Sequence, residues 1–127
     1  MSEHPPPRTS TLPVIEHIAA VYKQWFEYRN HLPKSCRYTL GERIDARFIQ
    51  VLELLFIASY QSKAEKLPTL ERALTGIDTL KFLLRLVWDL GILDDKKYAS
   101  LSEGLDKVGK ETGGWKKGLQ SKTPDRS

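Results

Sequence analysis

Cysteine is almost absent from this chain: of 127 residues only Cys36 is one, and a single thiol has no internal partner for a disulfide. Residues 1–13 hold three consecutive prolines, Pro5, Pro6 and Pro7, and no apolar run. Neither a signal peptide nor a membrane anchor is expected there, and the expected compartment is the cytoplasm. Catalytic signatures are equally scarce. The three histidines, His4, His17 and His31, lie in the arm and on one helix, and none completes the Glu-x-x-His pattern of di-iron bundles. P-loop, Gly-x-Ser-x-Gly, Cys-x-x-Cys and zinc-hydrolase motifs are missing. Cys36 with His31 is the one conceivable nucleophile and base, and an isolated cysteine in a helix connection is usually inert. The expectation is therefore a non-enzyme with no cofactor and no metal.

What is present is one domain's worth of helix-forming sequence. With 40% apolar residues the chain can bury a modest core. The formal net charge is +4, and residues 107–127 carry all of it: six Lys or Arg against Glu111 and Asp125. A pI near 9.2 is compatible with nucleic-acid contact without establishing it.

Residues 1–13 are expected to form a disordered, proline-rich arm, residues 14–118 a helical bundle, and residues 119–127 a flexible basic tail. Pro13 suits a first helical turn. Four helical segments with short breaks and no convincing strand predict an all-α, antiparallel up-and-down four-helix bundle. The first helix, about Val14 to His31, has Ile15, Ile18, Tyr22, Trp25, Arg29 and Leu32 on one face and ends before Pro33. The second, about Thr39 to Ser62, matches a capping box through Thr39 and Glu42, with Leu40, Ile44, Phe48, Val51, Leu55 and Ala58 as its core face. The third is expected from Thr69, as cap, to Leu90, ending at Gly91. Its core stripe is Leu70, Ala73, Ile77, Leu80, Leu84 and Val87. The fourth, capped by Asp94 or Asp95, has Tyr98, Leu101, Leu105, Val108, Thr112, Trp115 and Leu119 as a narrow seam.

Several features exceed what a plain bundle needs. Phe82, Leu86 and Leu90 fall at four-residue steps on the side of the third helix away from Leu80 and Leu84, and an exposed apolar stripe of this kind usually meets a partner. Between the two apolar sides run Asp78, Lys81, Arg85 and Asp89. They form either a solvated edge of Asp78–Lys81 and Arg85–Asp89 pairs, or a basic pair held on a rigid helix for phosphate or an acidic partner. On the second helix Arg43, Arg47 and Gln50 run into Leu54 and Ile57. That row is either a polar edge whose Arg stems cover apolar surface, or a set of guanidinium groups for backbone phosphates. In the last helix Gly109 and Gly113 share a face that permits close backbone approach, while Gly113 and Gly114 could equally end or kink the helix. Lys116 and Lys117 are tail solubilisers or nucleic-acid contacts.

Three phrases in order, Arg37-Tyr38-Thr39-Leu40-Gly41-Glu42-Arg43-Ile44, Leu80-Lys81-Phe82-Leu83-Leu84-Arg85-Leu86 and Gly109-Lys110-Glu111-Thr112-Gly113-Gly114-Trp115, resemble the accessory variability determinant proteins of diversity-generating retroelements. The resemblance runs from about Ile15 to Lys117. It implies a four-helix bundle whose protomers form a homopentameric, barrel-like ring with a positive surface. The implied activity is non-catalytic: binding reverse transcriptase and RNA or DNA in support of mutagenic retrohoming. On that resemblance Lys81 and Arg85 are the first candidates for the functional surface, Arg43 and Arg47 the second, and Arg37, Lys116 and Lys117 follow. Phe82, Leu86 and Leu90 are the candidate oligomer interface. Bundle proteins of ribosomal RNA intervening sequences usually carry an Asn-Ile-Ala-Glu-Gly-like phrase where this chain has Phe56-Ile57-Ala58-Ser59-Tyr60, so the retroelement family fits better. A protein-interaction scaffold without nucleic-acid affinity is the other alternative.

Overall fold

The computed structural model describes residues 12–121, and these form five helices with no strand among them. They are α1 (Pro13–Arg29), α2 (Lys34–Arg37), α3 (Leu40–Ala58), α4 (Lys63–Asp89) and α5 (Asp95–Ser121). Four are long; α2 is a single turn. α3 packs on α4, α4 on α5, and α1 closes the bundle against both α5 and α3. Cross-helix contacts run in reversed order, His17 to Glu111 and Gln24 to Ser100 between α1 and α5, Glu71 to Lys116 and Lys81 to Asp106 between α4 and α5. α5 therefore runs antiparallel to both α1 and α4.

The core follows the expected periodicity. Ile18, Trp25, Ile44, Phe48, Leu55, Leu70, Ile77, Leu80, Leu84, Leu101 and Leu105 are almost completely buried. Tyr22 lies edge-on to Phe48 with ring centroids 5.6 Å apart, and Trp25 stacks on Phe48 at 6.4 Å. Burial, and then the hydrogen bond that the Tyr22 hydroxyl donates to Asp45, push the Tyr22 pKa up. At the far turn Trp88 and Tyr98 stack at 4.5 Å, and the Trp88 indole N–H donates to Asp95 at 2.8 Å. That contact fixes the α4–α5 hairpin, which turns at Gly91 with a φ of 76°.

Helix boundaries depart from expectation for local reasons. α1 stops at Arg29, and Pro33 starts α2 instead of merely ending α1: its carbonyl accepts from the Cys36 and Arg37 amides at 2.9 and 2.8 Å. Thr39 does not cap α3. Its hydroxyl donates to the Ser35 and Cys36 carbonyls of α2 at 2.7 and 3.3 Å, so the capping box with Glu42 is not formed. α4 begins at Lys63, not Thr69. Ser62 caps it: its hydroxyl accepts from the Glu65 amide at 3.3 Å, and its own amide donates to the Glu65 carboxylate at 3.4 Å. That box, with the buried Thr69 hydroxyl bonded to the Glu65 carbonyl at 3.2 Å, keeps the helix continuous through Pro68. Asp94 caps α5 through the Lys97 amide at 2.8 Å. α5 passes through Gly113 and Gly114 without ending and continues beyond residue 118 to Ser121, with Leu119 packed against the core. The arm at residues 1–11 and the tail at 122–127 lie outside the described residues.

Close helix approach occurs at Gly76 and Gly104, not at Gly109 and Gly113. A Cβ on Gly76 would stand 2.6 Å from Val51 of α3, and one on Gly104 2.6 Å from Val21 of α1; nothing lies within 4 Å at Gly113. Gly41 is tight as well, because a Cβ there would sit 3.2 Å from the Cys36 carbonyl oxygen.

Because the Ser62 cap is exposed and its hydrogen bonds are long, Ser62→Ala is expected to cost about 0.5–1 kcal/mol. Urea melts would show this, with faster amide exchange confined to the first turn of α4. An unchanged midpoint would mean that packing at Leu70 alone sets the start of the helix.

Candidate interaction surfaces

Amphipathic helices that meet four-square leave two outer flanks each, and the candidate residues are distributed over these flanks. Lys81 and Arg85 lie on the α4 flank facing α5. The Lys81 amine contacts the Asp106 carboxylate at 2.6 Å. That hydrogen bond, against some burial, holds its pKa above the ordinary lysine value. Asp78, the partner expected within the helix, acts on Lys81 only through weaker charge attraction. Arg85 faces Asp89 at 3.7 Å and stays largely exposed. Further along the same edge Lys116 pairs with Glu71 at 3.3 Å, and Lys66 lies 5.7 Å from the centre of the Trp115 ring. Lys117 is exposed beside it. This edge joins α4 to α5, and along it Lys81, Arg85 and Lys116 each stand against a carboxylate.

The opposite flank of α4 meets α3. Here Arg43, Ala46, Arg47 and Gln50 line one shallow opening, with the Arg47 guanidinium donating to Gln50 at 2.7 Å. Arg43 also lines a second, with Tyr38, Thr39, Leu40, Glu42 and Leu83. Phe82 and Leu90 are 60% and 62% exposed, and Leu86 is half-buried. The second apolar side of α4 thus remains outside the core of a single chain. Arg37 is occupied otherwise, donating to the Leu32 carbonyl at 3.1 Å with its guanidinium 5.9 Å from the Tyr38 ring centre; it braces the α1–α2 connection.

The seven basic candidates therefore do not form one cluster: Lys81, Arg85, Lys116 and Lys117 follow α5, Arg43 and Arg47 follow α3, and Arg37 sits at the α2 end. A surface missed by sequence reasoning lies on α3 itself. Ile49 and Phe56 are exposed on its outer side, and Tyr60, in the turn just after the helix, is exposed with its ring edge to face with Phe56 at 5.4 Å. The signal was the spacing of Asp45, Ile49, Glu53, Phe56 and Tyr60, a second three-and-four-residue stripe on a helix already credited with a core face.

Chemistry needing an activated group finds little here. Cys36 is buried, and burial raises its thiol pKa, away from the thiolate that reactive cysteines need. His31 is exposed while Cys36 is not. His17 bonds Glu111 at 2.8 Å across α1 and α5, and no cluster of three or more metal-ligating side chains occurs among the described residues. No helix among them is long and apolar enough to cross a membrane.

The family model described as bAvd-like matches residues 14–119, which spans the bundle from the second residue of α1 almost to the end of α5. Comparison with curated proteins gives no match.

Proposed function

The chain belongs to the bAvd-like family, and from that premise we propose that it is a non-catalytic accessory protein of a diversity-generating retroelement, acting as a homo-oligomer of pentameric, barrel-like type that binds reverse transcriptase and nucleic acid. The family match over nearly the whole bundle carries this reading. The exposed Phe82 and Leu90 support association. The α4–α5 edge supports contact with RNA or DNA, because Arg85 and Lys117 lie exposed along it next to Lys81 and Lys116.

The structure changes how the basic edge is best tested. Lys81→Glu would set a carboxylate against Asp106, confounding loss of binding with loss of an α4–α5 contact. Arg85→Glu avoids this, since Arg85 pairs only loosely, with Asp89 in its own helix. Arg85→Glu is expected to leave stability within about 0.5 kcal/mol. It should weaken binding of single-stranded RNA and DNA and flatten the salt dependence by about one unit of slope. Lys81→Glu combined with Asp106→Lys keeps the ion pair while moving its charge, and should also weaken binding. Fluorescence anisotropy across a salt series is the measurement, with pull-down of the reverse transcriptase in parallel.

The scaffold reading has one observation in its favour: Lys81, Lys116 and Arg37 are already held by partners within the chain. It predicts partner capture that is indifferent to salt and no titratable RNA or DNA binding.

A further inference from the structure

α3 is divided lengthwise by charge. Arg43 and Arg47 stand on the side that meets α4, beside Leu83, which is one residue on from Phe82 and three before Leu86. Asp45 and Glu53 stand on the other outer side, in the stripe with Ile49 and Phe56, which Tyr60 extends from the turn after the helix. The protomer therefore has two unlike exposed apolar faces. One is the α4 stripe bordered by arginines, with Phe82 60% and Leu90 62% exposed; the other is the α3 stripe bordered by carboxylates, with Phe56 53% and Tyr60 66% exposed. Of the charges near the two faces, Arg85 faces Asp89, Lys81 contacts Asp106, Arg29 stands over the Phe26 ring at 5.0 Å, Glu42 lines the same opening as Arg43, and Asp45 also accepts from the Tyr22 hydroxyl at 3.0 Å.

Two faces alike in apolar character and opposite in charge, on different sides of one chain, are complementary to each other and not to themselves. Pairing either face with its own copy would oppose like charges, at a cost in specificity as well as energy. We infer that the partner of the α4 stripe is the α3 outer stripe of a second copy of this chain: Phe82, Leu86 and Leu90 pack on Ile49, Phe56 and Tyr60, with Arg43 and Arg47 set against Asp45 and Glu53. Such a joint is heterologous, each copy using one face forward and the other backward, and a heterologous joint closes into a ring when its rotation permits. It deepens the oligomeric reading above and rests on it. It also assigns the α3 arginines to the subunit joint, leaving the α4–α5 edge for nucleic acid.

The test uses full-length chains, each with one face blocked. Phe82→Asp and Phe56→Asp each change an exposed side chain, so helical content by circular dichroism should stay at the wild-type level. Leu90→Asp and Tyr60→Asp, at sites of equal or greater exposure, repeat the experiment should either variant misfold. In light scattering each blocked variant should run near 14.6 kDa, while the wild type is larger than a dimer. Mixed in equal amounts at high concentration, Phe82→Asp and Phe56→Asp each retain the face the other needs, and should give a species of twice 14.6 kDa and nothing larger. A wild type larger than a dimer with Phe56→Asp assembled like it overturns the pairing and spares the oligomeric reading, as does a mixture that stays monomeric. A monomeric wild type overturns both. Arg43→Glu with Arg47→Glu should dissociate the assembly. If that variant stays assembled and loses RNA binding instead, the arginines belong to a nucleic-acid site and the joint is wrongly placed.

Discussion

Phe48→Ala is expected to destabilise the protein by about 3–5 kcal/mol, a large part of the roughly 5–15 kcal/mol that holds a domain folded. Phe48 is fully buried where α1 meets α3, with Tyr22 edge-on and Trp25 stacked. Truncation removes a ring from between two others, and neither can follow far: the Tyr22 hydroxyl is held by Asp45 at 3.0 Å, and Trp25 is itself fully enclosed. The cavity should therefore persist, which places the cost in the upper part of the usual range. Phe56→Ala is the control, the same residue type on the same helix but more than half exposed. Its effect on folding of the single chain should stay below about 0.5 kcal/mol. Both belong at one fixed protomer concentration, because association adds a concentration-dependent share to apparent stability. Equal losses at the two sites would mean that Phe48 is not in the core.

Periodicity carried most of the fold. The stripe of Ile44, Phe48, Val51, Leu55 and Ala58, and its counterpart Leu70, Ala73, Ile77, Leu80, Leu84 and Val87, are buried as their spacing implies, because a helix face repeats at a fixed interval whatever lies opposite. Local signals failed where a second element competed for the same group. The Thr39 hydroxyl matched a capping pattern, but the carbonyls of Ser35 and Cys36 claim it. α2 is too short to show periodicity. Thr69 resembled the cap of a new helix, whereas the Ser62–Glu65 box upstream and the buried Thr69 itself hold the helix across the missing amide donor of Pro68.

The interaction surfaces were less legible, since a side chain's partner across the bundle has no fixed sequence offset. Lys81 had Asp78 three residues away and found Asp106 on another helix. Lys116 in the same way found Glu71. Sequence spacing could place these cations on a flank, but not say which of them were already neutralised. The second apolar stripe of α3 is weak in the sequence because Glu53 interrupts it between Ile49 and Phe56 and Tyr60 falls beyond the end of the helix.

Gly76→Leu is expected to cost about 3 kcal/mol or more, through overpacking where α3 and α4 run closest. A glycine inside a helix is ordinarily worth replacing, since alanine gains up to about 1 kcal/mol in helix propensity. At Gly114 nothing lies within 4 Å of an added Cβ, so Gly114→Ala should stabilise by about 0.5–1 kcal/mol. At Gly76 the same atom would stand 2.6 Å from Val51 Cγ2. Val51 is completely buried, and its branched Cβ leaves few rotamers into which the methyl can retreat. Overpacking of about 1–3 kcal/mol should outweigh the propensity gain, making Gly76→Ala a net loss while the longer leucine forces the helices apart. Removing the obstructing methyls should expose the cause. In a double-mutant cycle, Val51→Ala with Gly76→Ala should lose less than the sum of the two single losses, because the new Cβ then fills part of the space the valine leaves. Urea denaturation of the four chains measures the coupling. A Gly76→Ala variant more stable than its parent, or losses that simply add, would show that Val51 yields without cost and that the glycine is not what lets α3 and α4 close on each other.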